Sequence, residues 1–190
     1  MKDSGPIVPK GFDFDYFDNP NACGYQGYGR GAGGDQLVRS WDDIAVFCRA
    51  RNILSAIDIG CAKGFLVRAL RCYGIDAVGY DVSEYALSFT ADLPCYQRSV
   101  TDDIPDCADA IICLGVLLYI DPELIPSVLE SIYRATRRWF FFSSYYLGDD
   151  QPVPDPLRRT DATREWWRQV IGAAGFHLRS EEEYFDVYAR

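Results

Sequence analysis

Two acidic residues and a turn of small residues are the part of the sequence whose types and spacing could do chemistry. Asp58 lies in an apolar, strand-like segment, and the turn that follows contains Gly60, Ala62 and Gly64. Asp81 comes 23 residues after Asp58, at the end of a second apolar segment. Small residues let the backbone approach a bound molecule, and a carboxylate accepts hydrogen bonds from neighbouring hydroxyls better than a neutral group does. The arrangement indicates a site for a cofactor that carries an adenosine group.

The spacing of the glycines separates this turn from two other nucleotide-binding turns. A dinucleotide-binding turn places its third glycine where Phe65 stands, whereas here the glycine comes one residue earlier, at Gly64. A phosphate-binding P-loop is excluded because Lys63 precedes Gly64 and no Ser or Thr follows. The turn still offers an acid, a backbone that a ligand can approach closely, and the N-terminus of a helix. These groups favour a ligand with an amino-acid end and a ribose end.

Further candidate contacts follow the other predicted strands. We expect Val82 to pack on an adenine, and Ser99 with Val100 to flank its other side and offer a backbone donor. Lys63 is expected to be solvated, with only its backbone N–H facing a ligand. An alternative for the glycines is that they merely permit packing of helix on sheet. The predicted cofactor-binding residues are Asp58, Gly60, Cys61, Ala62, Gly64, Asp81, Val82, Ser99, Val100, Leu114, Tyr25 and Tyr28.

Strand and helix patterns alternate from residue 53 onward. Strands are predicted at 53–59, 75–80, 95–100, 108–114, 139–143, 176–180 and 184–188. Helices are predicted at 35–49, 65–73, 82–90, 122–136 and 163–174. The pattern predicts an α/β, Rossmann-like, doubly wound and mostly parallel seven-stranded sheet, with helices on both faces and an antiparallel C-terminal strand pair. Such sheets bind ligands beyond the carboxyl ends of their strands, where the strand order reverses.

Residues 1–34 differ from the rest, being rich in glycine, acidic residues and aromatics. We predict that they form a lid segment beside a cofactor-binding domain over 35–190. Tyr25 and Tyr28 stand among glycines, so they could fold over a sulfonium and make a cation–π contact. The other reading of this segment, as a disordered tail, stays open.

Composition limits the classes of function. The net charge of −9 argues against a large nucleic-acid interface, which needs a basic face. Seven cysteines without a C-x-x-C pair, together with a single histidine, argue against a zinc site. Scattered thiols, no signal-peptide core and no apolar run long enough to span a bilayer predict a cytoplasmic protein without membrane segments. A monomer and a homodimer are both compatible with the sequence.

Four segments carry a family resemblance. Ile57-Asp-Ile-Gly-Cys-Ala-Lys-Gly-Phe65 is similar to the first motif of the class I S-adenosylmethionine-dependent methyltransferases, and Val78-Gly-Tyr-Asp-Val-Ser83 to their ribose-binding acid segment. Cys113–Pro122 resembles the segment after their fourth strand. The last of the four, Trp166-Trp167 with Ala174-Gly-Phe176, resembles the family's usual late helix and its exit. The resemblance spans residues 41–190. It implies S-adenosylmethionine as the cofactor and methyl transfer as the activity, and it implies no particular acceptor.

The chain departs from the family pattern at three positions. Ala62 replaces the usual middle glycine of the first motif, and Tyr119 stands where many members have histidine. Ser99 stands where many members have an aspartate that binds the adenine amino group. Recognition of that amino group is therefore expected from Asp102 or from the backbone alone.

We expect a methyltransferase acting on a small molecule, with an acceptor of natural-product, sugar or amine type. Because the sulfonium methyl is already activated, the protein must hold a nucleophile in line with it, about 3–3.5 Å away. Tyr16, Tyr119 and Tyr145 are the candidate catalytic residues, and no metal is expected. Two alternatives remain: an enzyme that cyclises the cofactor or eliminates its aminobutyrate arm, and a non-catalytic cofactor-binding module.

Overall fold

The computed structural model describes residues 8–22, 34–148 and 155–190. The strands are β1 (Ser55–Ile59), β2 (Asp76–Asp81), β3 (Cys95–Gln97), β4 (Ala108–Leu114), β5 (Thr136–Ser143), β6 (His177–Glu181) and β7 (Asp186–Ala189). The helices are α1 (Phe14–Phe17), α2 (Gly34–Ala50), α3 (Phe65–Cys72), α4 (Glu84–Leu87), α5 (Ile125–Ala135) and α6 (Arg164–Ala173). None of the helices described here is both long and apolar enough to span a membrane.

The seven strands form one sheet in the order β3-β2-β1-β4-β5-β7-β6. Strands β1 to β5 run parallel, whereas β7 is antiparallel to both of its neighbours, β5 and β6. The chain winds outward from β1 through β2 to β3 and then returns to β4 on the other side of β1, so the strand order reverses between β1 and β4. The predicted fold class is confirmed, and the reversal point is where such a sheet binds ligands.

Alternate side chains along the strands enter two cores on opposite faces of the sheet. Ile57 and Phe140 lie in the core that α5 and α6 cover. Ala56 and Phe141 lie in the core beneath α2 and α3. Because successive side chains of a strand point to opposite faces, a strand buried on both faces is continuously apolar in sequence. For this reason the bounds of Ala108–Leu114 agree with those predicted.

Several element boundaries differ from those predicted, and the largest differences include those around α5. The helix predicted over 122–136 consists of a 3-10 turn at Pro122–Leu124 followed by α5, and β5 begins at Thr136 rather than at residue 139. The Thr136 hydroxyl donates a 2.7 Å hydrogen bond to the carbonyl of Ile132, while its backbone already pairs with β4. Helix therefore passes into strand without a loop. Strand β3 is three residues long because it is an edge strand that pairs with β2 alone.

Candidate active site

A cavity of about 500 Å³ lies at the carboxyl ends of the central strands. This volume is within the range of about 300–1,000 Å³ that is usual for small-molecule sites. Residues from the strand ends and their loops line it, among them Asp58, Gly60, Ala62, Asp81, Val82, Ser99, Val100, Leu114, Tyr119 and Tyr145. Phe12, Tyr16 and Phe17 from the N-terminal segment complete the wall. The sheet thus brings most of the predicted site residues together at the reversal of strand order.

The carboxylate of Asp81 is held in place by backbone donors. The N–H of Ala62 donates to its Oδ2 atom at 2.8 Å, and the N–H of Ser83 donates to its Oδ1 atom at 2.8 Å. Burial raises the pKa of Asp81, while the N–H groups of Ser83, Ala62 and Val82 oppose that rise. Each oxygen keeps lone pairs for further donors. The carboxylate is therefore oriented in advance to accept hydrogen bonds from a ligand in the cavity.

Ala62 adopts a backbone conformation that is unusual for a residue with a side chain. Its φ is 45°, in the left-handed region that favours glycine. Its methyl group is buried in a cluster with Tyr16, Phe17 and Ala86. The substitution of alanine for the family's usual glycine thus adds a contact between the turn after β1 and the N-terminal segment, at the cost of backbone strain.

Asp58 is a buried carboxylate on the wall of the cavity. Only 5% of the residue is exposed, and within the described part of the chain no hydrogen-bond donor reaches its carboxylate. Burial raises the pKa of Asp58 well above its usual range, with smaller contributions from Cys95 and Asp81. Because a nearby cation favours the ionised form of a carboxylate, the ammonium group of a bound ligand would relieve this unfavourable burial.

Cys61 and Gly64 lie near the cavity but are not among the described residues that line it. Cys61 is buried beneath β2, where its sulfur would lie 2.6 Å from a Cβ atom on Gly79. A Cβ on Gly64 would lie 2.8 Å from Leu93, on the side away from the cavity lining. Gly64 is therefore closely packed against its neighbours, as in the alternative interpretation that the glycines permit packing of helix on sheet. A Cβ on Gly60 would lie 2.2 Å from Val116, although Gly60 itself lines the cavity.

The predicted adenine contacts Val82, Ser99 and Val100 lie on the wall of the cavity. The N–H of Ser99 donates to the carboxylate of Asp102 at 3.0 Å. The Ser99 hydroxyl contacts the Thr101 hydroxyl at 2.7 Å. Asp102 therefore stabilises the turn after β3. Because the N–H of Ser99 is used in this hydrogen bond, it is not available to an adenine. The N–H of Val100 is the backbone donor that remains in this pair for a base.

Two of the three predicted catalytic tyrosines share one carboxylate. The hydroxyls of Tyr16 and Tyr119 lie 2.6 Å apart, and the Tyr119 hydroxyl donates to Oδ2 of Asp155 at 2.7 Å. The Tyr16 hydroxyl lies 3.3 Å from the same oxygen. Burial raises the pKa of both phenols, so they remain protonated at neutral pH. Tyr145, the third candidate, lies on the cavity wall without a bond to this cluster and is 46% exposed.

Asp155 was not identified from the sequence. It lies in a proline-rich loop far from any recognisable motif, and only the fold brings this loop to Tyr16 and Tyr119. Arg158 of the same loop has a side chain only 11% exposed and forms an ion pair with Asp161. Its guanidinium lies 5.4 Å from the ring centre of Tyr145.

Lys63 is buried, contrary to the expectation that it would be solvated. Its ammonium group contacts both carboxylate oxygens of Asp18 at 2.7 Å, and its side chain is 8% exposed. The expectation was wrong because the N-terminal segment packs over the turn and brings an acid to this lysine. Three aspartates between residues 12 and 19 were the available signal that the segment could pair with a cation.

The described part of the predicted lid is residues 8–22, which contain α1. Tyr25 and Tyr28, the predicted sulfonium contacts, lie outside the described residues. The assignment of residues 1–34 as a lid, separate from a domain over 35–190, therefore stays a prediction.

Comparison with known proteins agrees with this geometry. Residues 57–139 match the family model of the methyltransferase domain. No curated protein matches the chain in sequence. The matched residues run from β1 into β5 and include both Asp58 and Asp81.

Solved structures extend the likeness to most of the chain. Magnesium protoporphyrin IX methyltransferase (ChlM) from Synechocystis PCC 6803 with bound S-adenosylhomocysteine is 16% identical, with a TM-score of 0.67 over 83% of this chain and 84% of that chain. DesVI from Streptomyces venezuelae is 14% identical, with a TM-score of 0.68 over 85% and 92%. CalS10 from Micromonospora echinaspora, an amino pentose methyltransferase with bound S-adenosylmethionine, is 13% identical, with a TM-score of 0.67 over 84% and 96%. The domain match over residues 57–139 and the shared fold support a class I S-adenosylmethionine-dependent methyltransferase domain, with S-adenosylmethionine as the cofactor.

Proposed function

We propose that the enzyme methylates a hydroxyl or amine group of a small molecule, of natural-product, sugar or amine type, by direct in-line transfer. The observation that carries this proposal is the cluster of Tyr16, Tyr119 and Asp155 on and behind the cavity wall. DesVI and the amino pentose methyltransferase CalS10 have the same fold. That likeness supports a small acceptor but does not by itself choose one.

The residues around the cavity fit the proposed cofactor. Asp81 would accept hydrogen bonds from the ribose hydroxyls, and Val82 and Val100 would enclose the adenine. Asp58 would face the ammonium group of the amino-acid end. This positive charge would stabilise the buried carboxylate in its ionised form. When bound, S-adenosylmethionine supplies a methyl group activated by its sulfonium. The chain's own task is then to orient the acceptor and to exclude water.

The hydrogen bonds of the tyrosine cluster use the protons of both phenols. An ionised carboxylate only accepts, so at least one of the phenols must donate a hydrogen bond to Asp155. If Tyr119 donates to Asp155, Tyr16 donates to Tyr119 or to Asp155. If Tyr119 donates to Tyr16, Tyr16 donates to Asp155. In every arrangement both phenolic protons are used inside the cluster, so the phenolic oxygens can offer only lone pairs to an acceptor molecule.

The polarity of this cluster favours one class of acceptor. A hydroxyl or an amine carries the hydrogen that such lone pairs recognise. A carboxylate carries none, and it would also meet the negative charges of Asp58, Asp81 and Asp155. We therefore propose acceptors with an O–H or N–H nucleophile, oriented by Tyr16 and Tyr119.

A direct assay tests this proposal. The purified enzyme is incubated with S-adenosylmethionine and a panel of small hydroxyl, amine and carboxylate compounds, and S-adenosylhomocysteine is measured for each. We expect formation that depends on a hydroxyl or amine compound. Formation only with carboxylates would overturn the acceptor class. Methylthioadenosine or a cyclised product without any acceptor would indicate chemistry on the cofactor itself, and tight binding without turnover a non-catalytic module.

A further inference from the structure

The N-terminal segment, residues 8–22, is fastened to three different loops at the carboxyl end of the sheet. Asp18 contacts Lys63 in the loop after β1. The Ser83 hydroxyl, in the loop after β2, donates to the carbonyl of Phe12. Tyr16 contacts Tyr119, which follows β4. The segment therefore spans the strand ends that form the cavity instead of packing on a single element.

The contact of Asp18 with Lys63 is the most completely formed of the three. Both carboxylate oxygens lie 2.7 Å from the ammonium nitrogen, and the lysine side chain is 8% exposed against 21% for the aspartate. Charged groups withdrawn from water in this way are held tightly only while they are paired. The pair is therefore strong when the segment is in place and is lost when the segment leaves.

Aromatic groups enclose this ion pair. The Tyr85 hydroxyl donates to Oδ2 of Asp18 at 2.5 Å, and this bond raises the pKa of the phenol to about 12. The Lys63 nitrogen lies 4.5 Å from the ring centre of Phe89, a cation–π distance. Phe17, the residue before Asp18, stacks on Tyr85 with ring centres 6.3 Å apart. Water is thus excluded from several sides of the pair.

Lys63 is also a direct neighbour of the cofactor-holding backbone. The residue before it, Ala62, donates to Asp81 and packs against Tyr16 and Phe17. Both of these aromatic residues line the cavity. Loss of the ion pair would consequently free one wall of the cavity while leaving the sheet and its two cores intact.

We propose that Lys63 and Asp18 form a latch that holds residues 8–22 over the cavity and thereby limits the rate of cofactor exchange. In this role Lys63 is a positioning residue, because it acts through the segment and is not among the described residues that line the cavity. The proposal rests on the binding of the cofactor in this cavity, and it is independent of the acceptor.

Stopped-flow dissociation of S-adenosylhomocysteine from the full chain tests the latch. We expect Lys63→Met and Asp18→Asn each to release the ligand about tenfold faster, the effect of losing one charged hydrogen-bonded pair. The double variant should release it no faster than the faster single variant, because both remove the same contact. Lys63→Arg should retain slow release, since its guanidinium can pair with the same carboxylate.

Asp92→Asn is the matched control. Asp92 and Arg68 form a similar two-bonded ion pair, with distances of 2.7 and 2.8 Å, on the exposed surface and away from the cavity lining. The Asp92→Asn variant should release S-adenosylhomocysteine at the rate of the wild type. Wild-type rates in both latch variants, or additive effects in the double variant, would overturn the proposal. Failure of the wild type to bind S-adenosylhomocysteine would instead overturn the cofactor site. If a single variant does not fold, the double variant Lys63→Asp with Asp18→Lys provides the test. Its exchanged charges can still pair, so it should release S-adenosylhomocysteine as slowly as the wild type.

Discussion

The backbone N–H of Ala62 lies 2.8 Å from the Oδ2 atom of Asp81, which joins the turn after β1 to the acid that ends β2. Ser83 completes the arrangement by donating to the other oxygen of the same carboxylate. The two features that sequence spacing singles out are therefore one hydrogen-bonded unit. Neither the turn nor the acid can be displaced without the other.

Replacement of Asp81 should weaken cofactor binding while the fold persists. We expect Asp81→Ala to weaken binding of S-adenosylhomocysteine by roughly tenfold to a hundredfold or more, since charged hydrogen bonds contribute about 1.5–3 kcal/mol each. Asp81→Asn should be nearly as harmful, because its amide nitrogen cannot accept from Ala62 or Ser83. Calorimetric titration measures both. Asp76→Asn, at the exposed start of the same strand, is the control and should bind normally. Normal binding by Asp81→Ala would refute the site.

The contact between Gly60 and Val116 should govern the stability of the turn. Gly60→Ala places a Cβ atom 2.2 Å from Cγ2 of Val116 at a φ of +75°. We expect it to lower the free energy of unfolding by at least about 2 kcal/mol, through overpacking and backbone strain.

Combining this substitution with Val116→Ala provides the test. The smaller side chain removes the clash, so the double variant should be more stable than the sum of the single effects predicts. Urea unfolding of the four proteins measures this coupling. Strictly additive effects would show that the steric contact is not the cause.

Asp58 should make the stability of the ligand-free enzyme depend on pH. Burial raises its pKa in the folded state, so the protonated form is favoured by folding. The resulting stability is present below the ordinary aspartate pKa of about 3.9 and is lost as the pH rises through the raised value. Asp58→Asn cannot ionise. It should be more stable than the wild type at pH 7, by about 1.4 kcal/mol for each pKa unit of the shift.

Urea unfolding of both proteins between pH 4 and pH 8 checks this difference. The two stability curves should converge at the acidic end. A difference that stays constant with pH would mean that Asp58 is not the titrating group.

The tyrosine cluster should affect turnover more than cofactor binding. With an acceptor identified by the panel, we expect Tyr119→Phe to reduce kcat about a hundredfold, the size of effect that misplacing the acceptor by about 1 Å can have. Asp155→Asn should have a similar effect, since it removes the charge that orients both phenols. Affinity for S-adenosylhomocysteine should remain within about twofold in both variants.

Tyr96→Phe is the matched control for these variants, because Tyr96 is 57% exposed on β3 and is not among the described lining residues. It should leave kcat unchanged. Equal losses of kcat and of cofactor affinity in Tyr119→Phe would indicate a structural role instead.

Local pattern predicted the sheet and several of the residues that meet in the cavity. Asp58, Asp81 and Val100 end up on one wall because parallel strands bring their carboxyl ends to one edge, so a residue's place in its strand already determines its neighbourhood. The same reasoning predicted β4 without error, since both of its faces are buried.

Contacts between segments distant in the chain could not be predicted in the same way. Nothing in the sequence near Asp155 indicates that it meets Tyr16, and nothing near Lys63 names Asp18 as its partner. These pairs depend on the path of the N-terminal segment across the strand ends, which no local periodicity encodes. Cys61 and Gly64 were predicted from the motif to contact the cofactor, but sequence did not indicate what they pack against. Cys61 packs against β2, and Gly64 lies against the loop before β3.

The fastening of residues 8–22 to distant loops has a consequence for how the protein is made. Tyr16 and Asp155 are 139 positions apart, so this contact cannot form until the loop that contains Asp155 has been synthesised. Contacts of such long sequence separation require costly loop closure and form slowly. The sheet can therefore assemble before its cavity has a complete wall. In a newly made molecule the sheet would fold first. Slow cofactor exchange would follow only when residues 8–22 have joined the loops around the cavity.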